Sequence, residues 1–378
     1  MRRRGFLGIV CASVASDSAW AVNMRRAKLA TAAPRAEEPV AHLRHELFRH
    51  DFPGLVGAMF HTTGAPIRAA IGFADRASGH VMSIESVGRI ASITKVITAM
   101  AILRLRDAEK LSLDDRLSKH LPELSAFDPE QEPIRLRHLL THTSGLQRDL
   151  PHGNVTTEDS FIRLVATSAK TKHAAGSKVL YSNLAMGLVG PIIHRVSGTP
   201  YRAYVENEIT TPLGLHDIKW ALSDVDRQKR VTGYLKKTPE RTRWKASEGE
   251  WQMGASESFG GIYASIGDVC TLGQFALAAW SSDPWAADAP LSRETMREAQ
   301  TELIAVKDRD QKHGACWWLG HDKKLGKTVH HSGATDEYAA SLVLLPDRGV
   351  GAALLGNAPG PHELEIAAKR LARHLVSS

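Results

Sequence analysis

Two pairs of short apolar runs stand near opposite ends of the 378-residue chain, and they constrain the fold more than anything between them. Leu55–Phe60 and Ile67–Phe73 are separated by His61-Thr62-Thr63-Gly64; Tyr338–Leu345 and Val350–Leu355 are joined by Pro346-Asp347-Arg348-Gly349. Apolar runs of strand length around such turn residues predict β-hairpins. Between the hairpins, helical patterns alternate with Gly and Pro. Ser92 to about Arg106 reads as helix, because Ile93, Val96, Ile97, Met100, Ala101 and Leu103 recur at helical spacing. The last segment, Glu363–Val376, puts Leu364, Ala368, Leu371 and Leu375 on one helical face. Strands at both ends with helices between them predict an α+β fold. An antiparallel sheet is built from both chain ends and flanked by helices, with a mainly helical domain inserted. The expected unit is 39–378, its sheet part at about 39–85 and 300–378 and its helical part at about 86–299.

Residues 1–21 read as a signal peptide. Arg2, Arg3 and Arg4 precede an apolar run from Phe6 to Ala15, and Ala19-Trp20-Ala21 supplies a cleavage pattern. Arg3-Arg4-Gly5-Phe6-Leu7 also resembles the twin-arginine export signal, with Arg2 where Ser or Thr is usual and Gly8 where Lys is. Residues 22–38, rich in Ala and Arg, read as a linker. The expectation is an exported protein of a bacterial periplasm. No stretch approaches the roughly 18 consecutive apolar residues of a membrane span, so no transmembrane anchor is expected.

Lys and Arg number 48 against 41 Asp and Glu, a formal net charge of +7. The bases are spread along the chain without a basic stripe interleaved with aromatics, which argues against nucleic acid as a partner. Cys11 lies in the leader. Cys270 and Cys316 lie outside any small Cys-dense scaffold and are expected to be unbridged. No Cys or His pair has zinc-ligand spacing, so no metal is expected. The oligomeric state is not legible.

Three short motifs carry chemistry. Ser92-Ile93-Thr94-Lys95 places a hydroxyl and an amine on one face at a helix start. There the positive helix end would favour an oxyanion and push Lys95 towards the neutral amine. S-x-x-K alone arises by chance about once in such a chain. Tyr181-Ser182-Asn183 is the only Y-x-N in the sequence and sharpens the reading. A phenol beside a lysine can share a proton with it, serving as base and then acid. Asn183 offers a donor and an acceptor to a substrate amide. His331-Ser332-Gly333-Ala334 holds the only H-x-G. On an edge strand it would expose the Ala334 N–H to an extended substrate. Each motif also has a bland reading: an exposed helical Ser and Lys, a turn Tyr with a local Asn bond, a Gly-rich turn.

The order Ser-x-x-Lys, Tyr-x-Asn, His-x-Gly resembles the serine β-lactamase and penicillin-binding protein superfamily, nearest its class C branch with D,D-peptidase, D-aminopeptidase and esterase relatives. Further stretches support it, among them Leu136-Arg137-His138-Leu139-Leu140-Thr141-His142-Thr143-Ser144-Gly145-Leu146 and Gly260-Gly261-Ile262-Tyr263-Ala264-Ser265. The resemblance covers about residues 40–375. It implies a β-lactamase/transpeptidase-like fold with the site in a cleft between sheet and helical domain. It also implies roles: Ser92 as nucleophile, Lys95 and Tyr181 as base and acid, Asn183 as substrate contact. The Ala334 N–H becomes second oxyanion donor on the strand of His331 and Gly333, and no cofactor follows. The expected activity is hydrolysis of amide or ester bonds through a Ser92 acyl-enzyme, as D-amino-acid peptidase, esterase or weak β-lactamase. The alternative is a penicillin-binding sensor or other protein that binds without turnover. No E-x-x-L-N segment is present. One departure stands out: class C β-lactamases carry Lys, as K-T-G, where this chain has His331. Such a His, with an ordinary pKa near 6.5, would be mostly neutral at pH 7.5 and would gain charge on acidification.

Overall fold

The hairpins from the two chain ends lie side by side in one sheet. The computed structural model describes residues 37–127, 129, 131–150, 155–235, 244–306 and 312–377; the leader and all but the last two residues of the linker lie outside the described residues. A first helix, α1 (Glu37–Phe48), begins within the segment read as linker. It is followed by β1 (Gly54–His61), β2 (Ile67–Asp75), β3 (His80–Val81) and β4 (Val87–Arg89). Helix α2 (Thr94–Asp107) then opens the helical region, which also holds α3 (Asn183–Ser197) and α4 (Ile266–Ala278). Short strands β5 (Tyr234–Leu235), β6 (Lys245–Ala246) and β7 (Tyr263–Ser265) punctuate it. The chain returns through β8 (Lys312–His313), β9 (Trp318–Asp322), β10 (Gly326–Ala334), β11 (Ala339–Leu345) and β12 (Val350–Gly356), and ends in α5 (Pro361–Ser377).

The eight-stranded sheet runs β3-β2-β1-β12-β11-β10-β9-β8, and all its pairings are antiparallel. The seam between chain ends is β1 against β12, in register from Leu55 opposite Gly356 to His61 opposite Val350. Both faces are covered, so these strands are apolar throughout rather than alternating. Leu55 and Met59 of β1 face one way, packing with Leu43 and Leu47 of α1 and Leu364, Ala368 and Leu371 of α5. Val56, Ala58 and Phe60 face the other way, into the core shared with α2, α3 and α4. The C-terminal hairpin closes as its sequence demands. Pro346 enters the turn and Gly349 leaves it at a φ of +62°, which glycine adopts at little cost.

Helix α2 is buried at every position from Thr94 to Leu103. A helix buried on all sides is an interior one, and α2 is the post against which sheet and helical region both pack. Among the described residues no helix is long and apolar enough to cross a membrane.

Candidate active site

Strand β4 feeds α2 through one 3₁₀ turn, Ala91–Ile93. Ala91 holds a φ of +46°, a left-handed conformation that costs a non-glycine residue free energy. Ser92 is half-buried between the two buried residues Ala91 and Ile93. It therefore sits just before the α-helix, not on it. One turn on, Lys95 has no exposed surface; its Nζ lies 2.9 Å from Ser92 Oγ and donates to the Phe259 carbonyl at 2.6 Å. That carbonyl is held in place from both sides. Thr98 donates to the Ser258 carbonyl at 2.7 Å, and the Ile262 N–H donates to Thr94 at 3.2 Å. Burial pushes the Lys95 ammonium from its ordinary 10.5 down to about 7. The direction is the expected one, but burial, not the helix end, is the largest cause.

Tyr181-Ser182-Asn183 is the entry to α3. Ser182 caps the helix, accepting from the Ala185 N–H at 2.9 Å, and Asn183 is its first residue. The segment lies in a cradle made by residues 142–149. The Leu180 N–H donates to the His142 carbonyl at 2.7 Å, and the Leu184 N–H donates to the Arg148 carbonyl at 3.0 Å. Ser182 donates to the Gln147 carbonyl at 2.8 Å, and Asn183 Nδ2 donates to Asp149 Oδ1 at 2.8 Å. Held this way, Tyr181 faces Ser92, and its ring centroid lies 5.0 Å from Lys95 Nζ. Burial raises the phenol well above its ordinary value, so it stays protonated. Asn183 Oδ1 is buried and has no hydrogen-bond partner.

Strand β10 closes the site from the sheet side. It is not an edge strand, since β9 and β11 flank it, but pairing with β9 ends at His330 opposite Trp318. Residues 331–334 outrun β9 and leave their outer edge open. The Thr335 N–H donates to the Tyr338 carbonyl on the β11 side, so by strand alternation the Ala334 N–H points to the open edge. Gly333 is required by proximity. A Cβ there would collide with the Ile90 carbonyl oxygen and stand 3.1 Å from the Ser92 nitrogen. Ala334 is exposed.

His331 departs from the sequence expectation. It is only 2% exposed, and its ring centroid lies 6.4 Å from that of Tyr181. Nδ1 lies 2.8 Å from the Ser332 carbonyl, which can only accept, so Nδ1 carries the hydrogen. Nε2 is then a buried acceptor with no hydrogen-bond partner. Burial and the nearby Lys95 hold the ring well below its ordinary pKa, so mild acid will not charge it.

All seven residues singled out from the sequence converge here: Ser92, Lys95, Tyr181, Asn183, His331, Gly333 and Ala334. The motifs did not reveal the Phe259 carbonyl or His142. The first is backbone and carries no side-chain signal. The second accepts from the Ser182 N–H at 3.3 Å and packs its ring 4.2 Å from that of Tyr181. Its only sequence trace was membership of the 136–146 stretch. Cys270 and Cys316 are both buried free thiols, as expected. Among the described residues no group of His, Cys, Asp or Glu has the geometry to hold a metal.

The chain is similar to several known proteins. The chain is 36% identical over 195 residues to the D-alanyl-D-alanine-carboxypeptidase/endopeptidase AmpH of Escherichia coli K12, covering 49% of this chain and 48% of that protein. It is 34% identical over 178 residues to the esterase EstB of Burkholderia gladioli, covering 42% and 45%. The chain thus spans about half the length of the curated relatives it matches. A class C β-lactamase from Rhodobacter sphaeroides superposes with a TM-score of 0.74 at 18% identity, over 90% of this chain and all of that one, which shows the shared fold. The Beta-lactamase family model matches residues 35–377, and the chain belongs to that family.

Proposed function

We propose that this protein is a serine hydrolase that cleaves amide or ester bonds through an acyl-enzyme on Ser92. The observation that carries the reading is the 2.9 Å contact between Ser92 Oγ and a Lys95 with no exposed surface. A neutral amine there can donate one N–H to the Phe259 carbonyl while its lone pair faces the serine hydroxyl. As Oγ attacks the substrate carbonyl, Lys95 takes its proton. The N–H groups of Ser92 and Ala334 would hold the developing oxyanion. Tyr181, still a phenol, gives its proton to the departing oxygen or nitrogen and is reprotonated by the Lys95 ammonium. Water then retraces the path, releasing the acid and free Ser92. Asn183 and the open edge of β10 would position the substrate chain.

A base and an acid both stand in place around Ser92, which favours turnover over a sensor that acylates and stops. His331 in its neutral form gives this strand no cation of the K-T-G kind. The reading therefore places neutral esters and amides ahead of substrates that depend on such a cation to hold a carboxylate, β-lactams and D-Ala-terminated peptides alike. With residues 1–21 as leader, the site of action is the periplasm. The test compares kcat/KM for a neutral aryl ester, a D-Ala-D-Ala peptide and a cephalosporin. Product release from any of the three supports hydrolysis, and turnover of the neutral ester well above the other two supports the substrate order. A lasting adduct with all three, without product, would make the protein a sensor.

A further inference from the structure

We propose that Arg148 is a specificity-determining residue that reads an anionic group, a carboxylate in the first instance, on the substrate at the mouth of the site. The inference rests on the reading of Ser92 given above. His331 and His142 are both held neutral, and Lys95, lowered to about 7, is divided between amine and ammonium at neutral pH. Arg148 and Asp149 are a charged pair whose fields reach both Lys95 and Tyr181.

Geometry puts Arg148 where a substrate must pass. Its carbonyl is pinned by the Leu184 N–H, one residue beyond Asn183, so its backbone is fixed to the start of α3. Its guanidinium carbon lies 5.4 Å from the Tyr181 ring centroid, the ring that also carries Lys95 Nζ at 5.0 Å. Unlike Lys95 it is open to solvent, with 66% of its side chain exposed. Asp149 takes only Nε, at 3.1 Å, and shares its charge with Asn183 Nδ2. The two terminal nitrogens bond to no described residue. An incoming carboxylate can thus take the guanidinium end-on with two parallel hydrogen bonds, the geometry arginine offers and lysine does not. The cation missing from β10 would then stand across the site, on the rim beside Asn183.

The experiment uses matched neutral and anionic esters. One pair carries the charge in the acyl part: 4-nitrophenyl hydrogen adipate against 4-nitrophenyl methyl adipate. The other carries it in the leaving group: 3-carboxyphenyl acetate against 3-carbamoylphenyl acetate. The readout is the anionic-to-neutral ratio of kcat/KM in wild type, Arg148→Ala and Arg148→Lys, at low and high salt. A charge-assisted bidentate contact on an exposed rim predicts a wild-type ratio raised about 10-fold for one pair, mainly through KM. The ratio should collapse in Arg148→Ala, recover partly in Arg148→Lys, and shrink with salt. The responding pair locates the anion. If Arg148 only braced Tyr181, both members of each pair would slow together. A ratio in Arg148→Ala equal to wild type for both pairs overturns the proposal. Neutral-ester hydrolysis that survives Ser92→Ala instead overturns the reading beneath it.

Discussion

Replacing Lys95 by Met should make the protein more stable while removing its chemistry, and the gain should depend on pH in one direction. Folding takes the Lys95 proton affinity from an ordinary 10.5 to about 7. Below pH 7 both folded and unfolded chains carry the ammonium, and burying it costs on the order of 5 kcal/mol. Between pH 7 and 10.5 the unfolded chain binds the extra proton, so stability rises with pH and the cost fades. Methionine removes the charge but deprives the Phe259 carbonyl of its 2.6 Å donor, a loss of about 1–3 kcal/mol. The net expectation is a variant more stable by about 2–4 kcal/mol at pH 6, with about 2–3 kcal/mol of that lost by pH 9. Urea midpoints of both proteins at the two pH values measure it, and the difference cancels groups common to both. A Lys95→Met protein no more stable than wild type at pH 6, or an advantage independent of pH, would refute the reasoning.

Gly333→Ala should cut acylation by at least about 10²-fold, a loss on the scale of one oxyanion donor, because its Cβ would push β10 off the Ile90 carbonyl and displace the Ala334 N–H. Ser332→Ala, on the opposite face of the strand against Glu365, should cost far less; equal losses would contradict the placement. Burial pushes the thiols of Cys270 and Cys316 up to about 12. Both should resist alkylation in the native protein and react in the denatured, unreduced one. A disulfide-linked peptide containing both would contradict their assignment as free thiols.

The sheet was legible because its central strands are long apolar runs with turn residues at their ends, and a run such as Leu55–Phe60 has few other stable uses. The β4–β7 and β8–β9 pairings left no such trace, since strands of two to five residues carry too little pattern. The site was legible where chemistry demands a side chain: Ser92, Lys95, Tyr181, Asn183. It was not legible where backbone does the job, as at the Phe259 carbonyl, or where burial decides the outcome. His331 reads as a titrating rim residue in the sequence and is a buried, neutral acceptor in the fold. Lys95 reads as shifted by a helix end, and is shifted mainly because α2 runs through the core. Tertiary burial is what a local motif cannot report.

The central claim is that Ser92 is acylated by means of a neutral Lys95, and one measurement addresses both halves. A neutral aryl ester is mixed with the enzyme from pH 5 to 9, quenched on the millisecond scale, and the adduct located and quantified by peptide mass. The account predicts acyl groups on Ser92 alone, with an acylation rate that rises tenfold per pH unit up to about 7 and is level above it. An adduct on another residue, or a rate that keeps climbing towards pH 9, would contradict it.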